Sequence, residues 1–253
     1  MTAVGLVLLA VAPAVALVIY FYLRDRYEPE PRGHVLAAFL YGPLVLVPAL
    51  WVGVRVKGAV SPEWLVLSGM AGRLYEDFLV AAAVEEGLKW LLFMVTIARW
   101  REFDEPMDGL VYGATMALGL AAVENLYYVL DCYRHAGCPV WRHALLRGVF
   151  SVPAHALFGA SMGYFVGRAK FVVHRWRLSY LIPASLAVPW VFHGVYDHLC
   201  GYVGTTTGWI ALGAASLAMW VFATVAMTRL LMRSPFKPEG PEGVEAGEDP
   251  SGP

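Results

Sequence analysis

The chain has 253 residues, of which 58% are hydrophobic and only 15% are charged. A soluble domain of this length cannot bury so much apolar surface in one core, so lipid must be the solvent for most of the chain. The formal net charge is −1, and Lys and Arg occur only in short loop clusters. This composition excludes the extended basic surface that nucleic-acid binding requires.

Seven apolar segments are long enough to cross a bilayer as helices, which takes about 20 residues. Three of them contain no charge, residues 4–23, 35–54 and 207–228, and four contain ionisable residues, 78–98, 107–130, 143–167 and 180–200. The first segment is not a secretory signal, because it has no basic n-region and its apolar stretch is too long. We therefore predict an all-α fold, a polytopic transmembrane bundle of about seven helices that occupies residues 1–234.

Two further segments are not expected to cross the membrane. Residues 61–73 are too short and too interrupted, and we predict that they form a surface helix before the third span. Residues 235–253 are rich in Pro, Gly and acidic side chains. Such a composition cannot bury enough apolar area to fold, so the sequence predicts a disordered acidic tail.

The loop charges predict the orientation of the bundle. Twelve Lys and Arg residues fall in the loops of one side and five in those of the other. The positive-inside rule then places a multi-pass protein in the cytoplasmic membrane with its N-terminus outside and its C-terminus in the cytoplasm. Cys132, Cys138 and Cys200 lie in or beside outward-facing loops, where oxidising conditions permit disulfides. The spacing of Cys132 and Cys138 matches no specific motif, so the sequence does not decide between a disulfide bridge and two free thiols.

The third apolar segment carries three charged residues within about one helical turn. A charge inside a bilayer costs roughly 2.5–3.5 kcal/mol on insertion scales, so each needs a cause. Glu85 and Lys89 are four residues apart and share a helix face, where an ion pair could neutralise both. Glu86 is rotated by about 100° toward a neighbouring helix, and two adjacent carboxylates in lipid repel each other. The ion pair alone therefore leaves Glu86 unexplained.

The next three segments also carry polar groups. Glu124 and Asn125 follow a row of small residues at four-residue spacing, which are Gly109, Gly113, Ala117 and Ala121. Such a row allows another helix to approach closely, and Asn125 continues it into the contact, but packing does not call for Glu124. His155 alone would be read as a satisfied core histidine. His193 and Asp197 are four residues apart, and an Asp–His pair orients an imidazole for catalysis or for a metal.

The predicted depths of these groups suggest that they meet. Glu85, Glu124 and His193 lie six or seven residues from the outer ends of their predicted helices, which is ~9–11 Å below the outer surface. His155 lies twelve residues into its segment and is predicted to be deeper. We therefore expect carboxylates and imidazoles from four helices to form one wet site that opens to the outside.

Four segments in order resemble the PrsW family of membrane proteases. They are the EExxK run at 85–89, residues 108–128, the HALFGASMGYF segment from His155 and the HGVYDH segment from His193. The resemblance covers residues 78–200 and extends more distantly to the CAAX prenyl proteases and Abi proteins, which implies a CAAX-protease-like core. Ser151 departs from the CAAX-type pattern, which has Phe at that position. The PrsW resemblance implies cleavage of a single-span membrane protein, such as an anti-sigma factor, near its extracytoplasmic side in a stress response.

The resemblance also implies roles for individual residues. Glu85 matches the water-activating carboxylate, and Glu86 and Lys89 complete its motif. His155 and His193 match the two histidine positions, and Asp197 matches the polar position after the second. On this interpretation Glu85 near His155 takes a proton from water. His193 and Asn125 would then donate hydrogen bonds to the oxyanion, with Glu124 in support.

Several alternatives stay open. A metal-dependent mechanism would use His155, His193 and Glu85 to bind Zn²⁺ or another divalent ion. No HExxH motif occurs, so the sequence slightly favours the metal-free mechanism, and no cofactor is certain. A proton- or ion-coupled transporter would use the same buried charges, but no inverted repeat is evident. A non-catalytic membrane scaffold would tolerate the loss of all of them.

Overall fold

The structure is a computed structural model that describes residues 2–59 and 69–238. Within these residues the chain forms seven continuous helices and no strand. Four helices are uninterrupted: α1, Ala3–Arg24; α4, Pro106–Arg134; α6, Leu178–Cys200; and α7, Thr206–Leu231. Three helices change their winding. Helix α2 consists of Arg32–Tyr41, a 3₁₀ turn at Gly42–Val45 and Leu46–Ala59. Helix α3 consists of Gly69–Leu74, the π-helical stretch Tyr75–Ala82 and Ala83–Val95, and helix α5 consists of Val140–Leu146, the π-helical stretch Arg147–Ser151 and Val152–Lys170.

The prediction of an all-α, polytopic helical bundle is confirmed. Among the described residues, six helices are long and apolar enough to cross a membrane, namely α1, α2, α4, α5, α6 and α7. Helix α3 is the predicted third span, and its five charged residues from Glu76 to Lys89 set it apart from the other six. It begins at Gly69, nine residues before the predicted start, and ends at Val95.

The prediction of a separate surface helix at residues 61–73 is wrong where it can be checked, because residues 69–73 continue directly into α3. Residues 61–68 lie outside the described part of the chain. The predicted disordered tail also lies largely outside it, since only residues 235–238 are described, and these form a turn after α7.

Helix α4 lies at the centre of the bundle and packs most extensively against α5. The two backbones approach closely because glycines face each other across the contact. A Cβ atom on Gly113 would collide with the carbonyl oxygen of Gly159, and one on Gly163 would collide with that of Gly109. The small-residue row therefore serves close helix packing, as predicted.

Helix α3 is held against α6 by polar contacts along its length. The indole nitrogen of Trp190 donates to the carbonyl oxygen of Phe78 at 2.6 Å, and that of Trp90 donates to Ser185 Oγ at 2.8 Å. Asp77 Oδ2 lies 2.9 Å from His198 Nδ1. These contacts fix the helix of the EExxK run opposite the helix of the HGVYDH segment.

The loop between α4 and α5 is closed by a disulfide between Cys132 and Cys138, while Cys200 is free. Of the two states that the sequence leaves open, the structure has the bridge. Gly137 adopts a φ of 87° inside this loop, a conformation that other residues rarely accept. The short reversal therefore depends on a glycine next to the disulfide.

Candidate active site

Lys89 neutralises two carboxylates at once. Its Nζ atom lies 2.9 Å from Glu85 Oε1 and 2.5 Å from Glu86 Oε1. The side chains of Lys89 and Glu86 are fully buried, whereas 15% of the Glu85 side chain is exposed. The ammonium group thus offsets the repulsion between adjacent carboxylates, and Glu85 is the member of the pair that reaches open space.

His193 on α6 is held at both ring nitrogens. Its Nδ1 atom lies 2.7 Å from Glu86 Oε1, and its Nε2 atom lies 3.2 Å from Asp197 Oδ2. The ring also stacks on Phe158, with centroids 4.8 Å apart and planes inclined by 14°. These contacts fix the orientation of the imidazole and join α6 to the buried charges of α3.

His155 on α5 occupies the corresponding place between α3 and α4. Its Nδ1 atom lies 3.4 Å from Glu85 Oε1, and its Nε2 atom lies 3.2 Å from Glu124 Oε2. Although the sequence predicts a deeper position, the helix geometry brings His155 level with both glutamates. The structure thus gathers seven of the eight predicted site residues, and the exception is Asn125.

Asn125 is turned away from this cluster, so its predicted position as an oxyanion donor is wrong. Its Nδ2 atom donates to the carbonyl oxygen of Ala10 at 2.6 Å, and its Oδ1 atom accepts from Arg147 Nε at 2.9 Å. The side chain is fully buried between α1 and α5. A buried amide needs such partners, and here they lie on the neighbouring helices rather than in the site.

A cavity of about 480 Å³ opens beside the cluster and is lined by Glu85, Glu124, His155, His193 and Asp197. Its wall also contains Tyr128, Arg147 and Tyr196, which the sequence analysis does not assign to the site. The guanidinium carbon of Arg147 lies 4.0 Å from the centroid of the Tyr128 ring. Arg147 could have been found from its spacing, because it precedes His155 by eight residues and therefore lies near the same helix face.

A second cavity of about 340 Å³ lies between α2 and α3 and shares Glu85, Glu124 and Tyr128 with the first. Its remaining walls are mainly apolar and include Leu46, Leu50, Val54, Val80 and Val84. On the α2 side, Leu50 and Val54 are 63% and 70% exposed. The two cavities therefore adjoin at Glu85, Glu124 and Tyr128, and the second one lies on the apolar side of these residues.

The two helices that carry Glu85 and His155 each contain a π-helical stretch just before these residues. Tyr75–Ala82 precedes Glu85 on α3, and Arg147–Ser151 precedes His155 on α5. A π-helical turn changes the rotation of the residues that follow it relative to those before it, and such turns are frequent at functional sites. These stretches help to aim the two side chains into the cavity.

Two groups of side chains within this cluster have the geometry to bind a metal ion. One is Glu85, Glu124 and His155, and the other is Glu85, Glu86 and His193; within each group the ligand atoms lie within 4.8 Å of one another. In the second group both carboxylates pair with Lys89, whereas in the first group only Glu85 does.

The first group fits a metal better. His155 Nδ1 is buried and makes no hydrogen bond of standard geometry, and Glu85 Oε1 beside it is held by its ion pair with Lys89. One imidazole and two carboxylates are donors that catalytic zinc sites use. The predicted ligand set of His155, His193 and Glu85 stays a prediction. His193 Nδ1 lies 3.8 Å from Glu85 Oε1, while Glu124 completes a tighter group with Glu85 and His155.

Comparison with known proteins identifies the relatives of this chain. Residues 30–228 match the family described as "PrsW family intramembrane metalloprotease". The chain is 38% identical over 216 residues to "Protease PrsW" of Geobacillus kaustophilus, an alignment that covers 85% of this chain and 88% of the relative. It is 36% identical over 190 residues to "Protease PrsW" of Bacillus subtilis, with coverage of 75% and 79%. For "Protease PrsW" of Clostridioides difficile the identity is 33% over 195 residues, with coverage of 77% and 78%.

No solved structure matches the chain. The distant relationship to CAAX prenyl proteases stays a prediction.

Proposed function

The chain belongs to the PrsW family of intramembrane proteases, and we propose that it uses Glu85, Glu124 and His155 to cleave a membrane-anchored protein with an activated water. The observation that carries this proposal is the position of His155. Its ring lies between two carboxylates of different helices, at 3.4 and 3.2 Å, on the wall of the cavity. A water molecule in that cavity would meet a base and two further polar ligands at one point.

Glu85, Glu124 and His155 are also the residues that would hold a metal ion such as Zn²⁺. When bound, such an ion lowers the pKa of water and polarises the scissile carbonyl group. The description of the family as metalloproteases favours this alternative over the metal-free one.

The side chains of the protein then supply the proton transfers. The Glu85 carboxylate accepts a proton from the attacking water while the water oxygen bonds to the carbonyl carbon. When the C–N bond breaks, the same carboxyl group returns the proton to the leaving amine nitrogen. Lys89 acts as a positioning residue, because it is fully buried and pairs with Glu85 and Glu86. His193 lines the cavity, and its role is also positioning because its Nδ1 atom contacts the buried Glu86.

Arg147 takes the part of the oxyanion donor for which the sequence analysis selected Asn125. It lies on the cavity wall, and only its Nε atom is engaged by Asn125. Its remaining N–H groups are therefore able to face a carbonyl oxygen that gains negative charge. Hydrogen bonds to such an oxygen contribute most in a site that excludes water.

The second cavity supports a substrate that is anchored in the membrane. It is bounded by apolar side chains of α2 and α3 and leads directly to Glu85 and Glu124. A polypeptide leaving a single transmembrane helix could enter through it without passing bulk water. We propose a single-span protein of the anti-sigma-factor type as the substrate, in line with the resemblance of the sequence.

We further propose that the site faces the extracytoplasmic side of the cytoplasmic membrane. The Lys and Arg distribution supports this orientation. The Cys132–Cys138 disulfide lies at the end of α4 nearer to Glu124, and disulfides persist on the oxidising side of a membrane.

The direct test reconstitutes the chain in lipid vesicles with a single-span substrate and follows cleavage by mass spectrometry. Glu85→Gln should lower the rate by about 10²–10⁴, the usual contribution of a general base. Glu76→Gln is the matched control, because Glu76 lies on the same helix in an exposed ion pair with Lys57. A chain that cleaves equally well after Glu85→Gln, or that only conducts protons, would exclude the proposed mechanism.

A further inference from the structure

A second group of carboxylates lies at the opposite end of α4 from the candidate active site. Asp108 is in the first turn of this helix and Glu124 is sixteen residues further on, which corresponds to ~24 Å. Asp108 is joined by Asp25, which follows α1, by Glu30 in the loop before α2 and by Glu105, which precedes α4. We call these four residues the acidic cluster.

The acidic cluster is buried, unlike an ordinary acidic surface patch. The exposed fractions of Asp25, Glu30, Glu105 and Asp108 are 2%, 3%, 1% and 1%. One ligand oxygen from each of Asp25, Glu105 and Asp108 lies within 4.8 Å of the others. Burial of several negative groups at such distances is very costly unless a positive charge or protons compensate them.

Protein groups satisfy only part of this cluster. Asp108 Oδ2 accepts the backbone N–H groups of Asp104 and Glu105, at 2.7 and 2.8 Å, and Tyr112 donates its hydroxyl to Glu30 Oε2. Both carboxylate oxygens of Asp25, together with Glu30 Oε1 and Asp108 Oδ1, are buried and accept no hydrogen bond of standard geometry. The end of α1 and the start of α4 therefore bring carboxylates with unpartnered oxygens close together.

Protein cations do not supply the missing charge. Among residues 2–59 and 69–238, no Lys, Arg or His lies within ion-pair distance of any carboxylate of the acidic cluster. Lys170 interacts electrostatically with Asp108 without contacting it. Its ammonium group instead donates to the carbonyl oxygens of Phe103 and Trp100, at 2.7 and 3.3 Å. The cluster therefore lacks a counter-charge from the chain.

The electrostatics of the loop residues reflects this lack. Burial, reinforced by the charges of Glu105 and Asp108, raises the pKa of Asp25 to about 7. Burial, reinforced by the charge of Asp108, raises the pKa of Glu30 to about 10. Bound protons or a bound cation would each relieve the repulsion between the carboxylates. A cation requires several oxygens within reach of one point, whereas a proton does not.

We propose that the acidic cluster binds a hard divalent cation of the Ca²⁺ or Mg²⁺ class, with Asp25, Glu105 and Asp108 as ligands and Glu30 beside them. All the donors are oxygens, which these ions prefer, and no nitrogen or sulfur ligand that would favour Zn²⁺ is present in the group. The cation would tie the end of α1 to the start of α4. This site is separate from the candidate catalytic site and does not depend on the proposed function.

Sensitised terbium luminescence tests the proposal, because Tb³⁺ binds oxygen ligands as Ca²⁺ does. Tyr112 contacts Glu30, and Trp100 lies 5.1 Å from the Tyr112 ring, so both could transfer excitation to an ion in the cluster. The full chain in lipid nanodiscs should show Tb³⁺ emission that Ca²⁺ or Mg²⁺ displaces. The ion that displaces it at the lower concentration identifies the preferred ligand.

Two double variants separate the acidic cluster from the catalytic site. Asp25→Asn with Glu105→Gln should reduce the Tb³⁺ emission at least tenfold, whereas Glu85→Gln with His155→Ala should leave it unchanged. Asp131→Asn, which alters an exposed aspartate at the other end of α4, is the control. Equal emission from the cluster variant and the unaltered chain would overturn the proposal and leave protons as the neutralising charge.

Thermal unfolding provides an independent readout. After treatment with EDTA, a hundredfold excess of the preferred cation over its Kd should raise the Tm of the unaltered chain by roughly 5–10 °C. The Asp25→Asn/Glu105→Gln variant should show no such rise, and in EDTA it should be at least as stable as the unaltered chain because the repulsion is gone. If that variant does not fold, Asp25→Asn alone serves the same comparison, and a full cation response in it would overturn the proposal.

Discussion

The imidazole rings of His155 and His193 lie with their centroids 5.7 Å apart, yet they have different surroundings. His155 lies between Glu85 and Glu124, both of which are partly exposed to the cavity. His193 lies between Glu86, which is fully buried and paired with Lys89, and Asp197, which is 31% exposed. The first histidine is therefore placed to meet a metal or a water, and the second joins α6 to the buried charges of α3.

This difference predicts unequal effects on metal binding. His155→Ala should remove bound zinc and activity together, because it deletes a ligand. His193→Ala should lower zinc affinity only by about 10–100-fold, the usual effect of a group that positions a ligand. Metal content of the purified protein by mass spectrometry, measured beside substrate cleavage, checks both.

The control for these variants is His135→Ala, since the His135 side chain is 71% exposed in the loop after α4. It should retain both metal and activity. Zinc loss as complete in His193→Ala as in His155→Ala would show that His193 is itself a ligand.

Lys89 predicts a stability effect that can be separated from chemistry. Lys89→Met leaves Glu85 and Glu86 buried without their counter-charge and should cost about 3–5 kcal/mol of unfolding free energy. Adding Glu86→Gln removes one of the two uncompensated charges and should recover part of that loss. Thermal unfolding of the single and double variants in detergent gives the coupling free energy between Lys89 and Glu86.

Lys57→Met is the matched comparison for Lys89→Met. Lys57 pairs with Glu76 at 2.6 Å, but 63% of its side chain is exposed, so the loss should stay below about 1 kcal/mol. If Lys89→Met and Lys57→Met cost the same, the buried charges of α3 are not compensated by Lys89.

How far the sequence predicts the site depends on whether a relationship lies within one helix or between helices. Glu85 and Lys89 share a face, as do His193 and Asp197, because the helical period fixes both. The four-residue spacing of small residues likewise predicts the close contact of α4 with α5.

Contacts between residues of different helices are harder to predict from the sequence. The predicted depth of His155 is wrong because the helix starts are misplaced and π-helical stretches alter the winding of α3 and α5. The orientation of Asn125 depends on α1 packing beside α4, and nothing in the local pattern indicates which helix lies there. The spacing of Arg147 and His155 within α5 places Arg147 near the site, but its contact with Asn125 on another helix could not be predicted.

Arg147 and Asn125 predict a non-additive pair of effects on catalysis. Arg147→Gln should lower kcat by about 10²–10³ with little change in KM, the usual cost of removing one oxyanion donor. Asn125→Ala should lower kcat less, because it only releases Arg147 from its position, although the unpaired carbonyl of Ala10 also costs about 1–3 kcal/mol of stability.

The double variant of Arg147 and Asn125 should be no slower than Arg147→Gln alone. Kinetics at saturating and limiting substrate separate kcat from KM, and Arg134→Gln, outside the cavity lining, is the control. Losses that multiply in the double variant would mean that Asn125 acts independently of Arg147.

The cavity between α2 and α3 predicts that substrate entry can be blocked without touching the reactive groups. Ala49 lies on its α2 wall, and Ala49→Trp would place a bulky ring where the substrate is proposed to pass. A loss of about 1–3 kcal/mol of transition-state stabilisation through the blocked path corresponds to roughly 5- to 150-fold in kcat/KM for a single-span substrate. A short peptide that carries the same scissile bond should lose much less, because it can reach Glu85 through the larger cavity.

Val47→Trp is the control, since Val47 is 72% exposed on the outer face of the same helix and does not line the cavity. Equal losses for the two substrates would place the path of the substrate elsewhere.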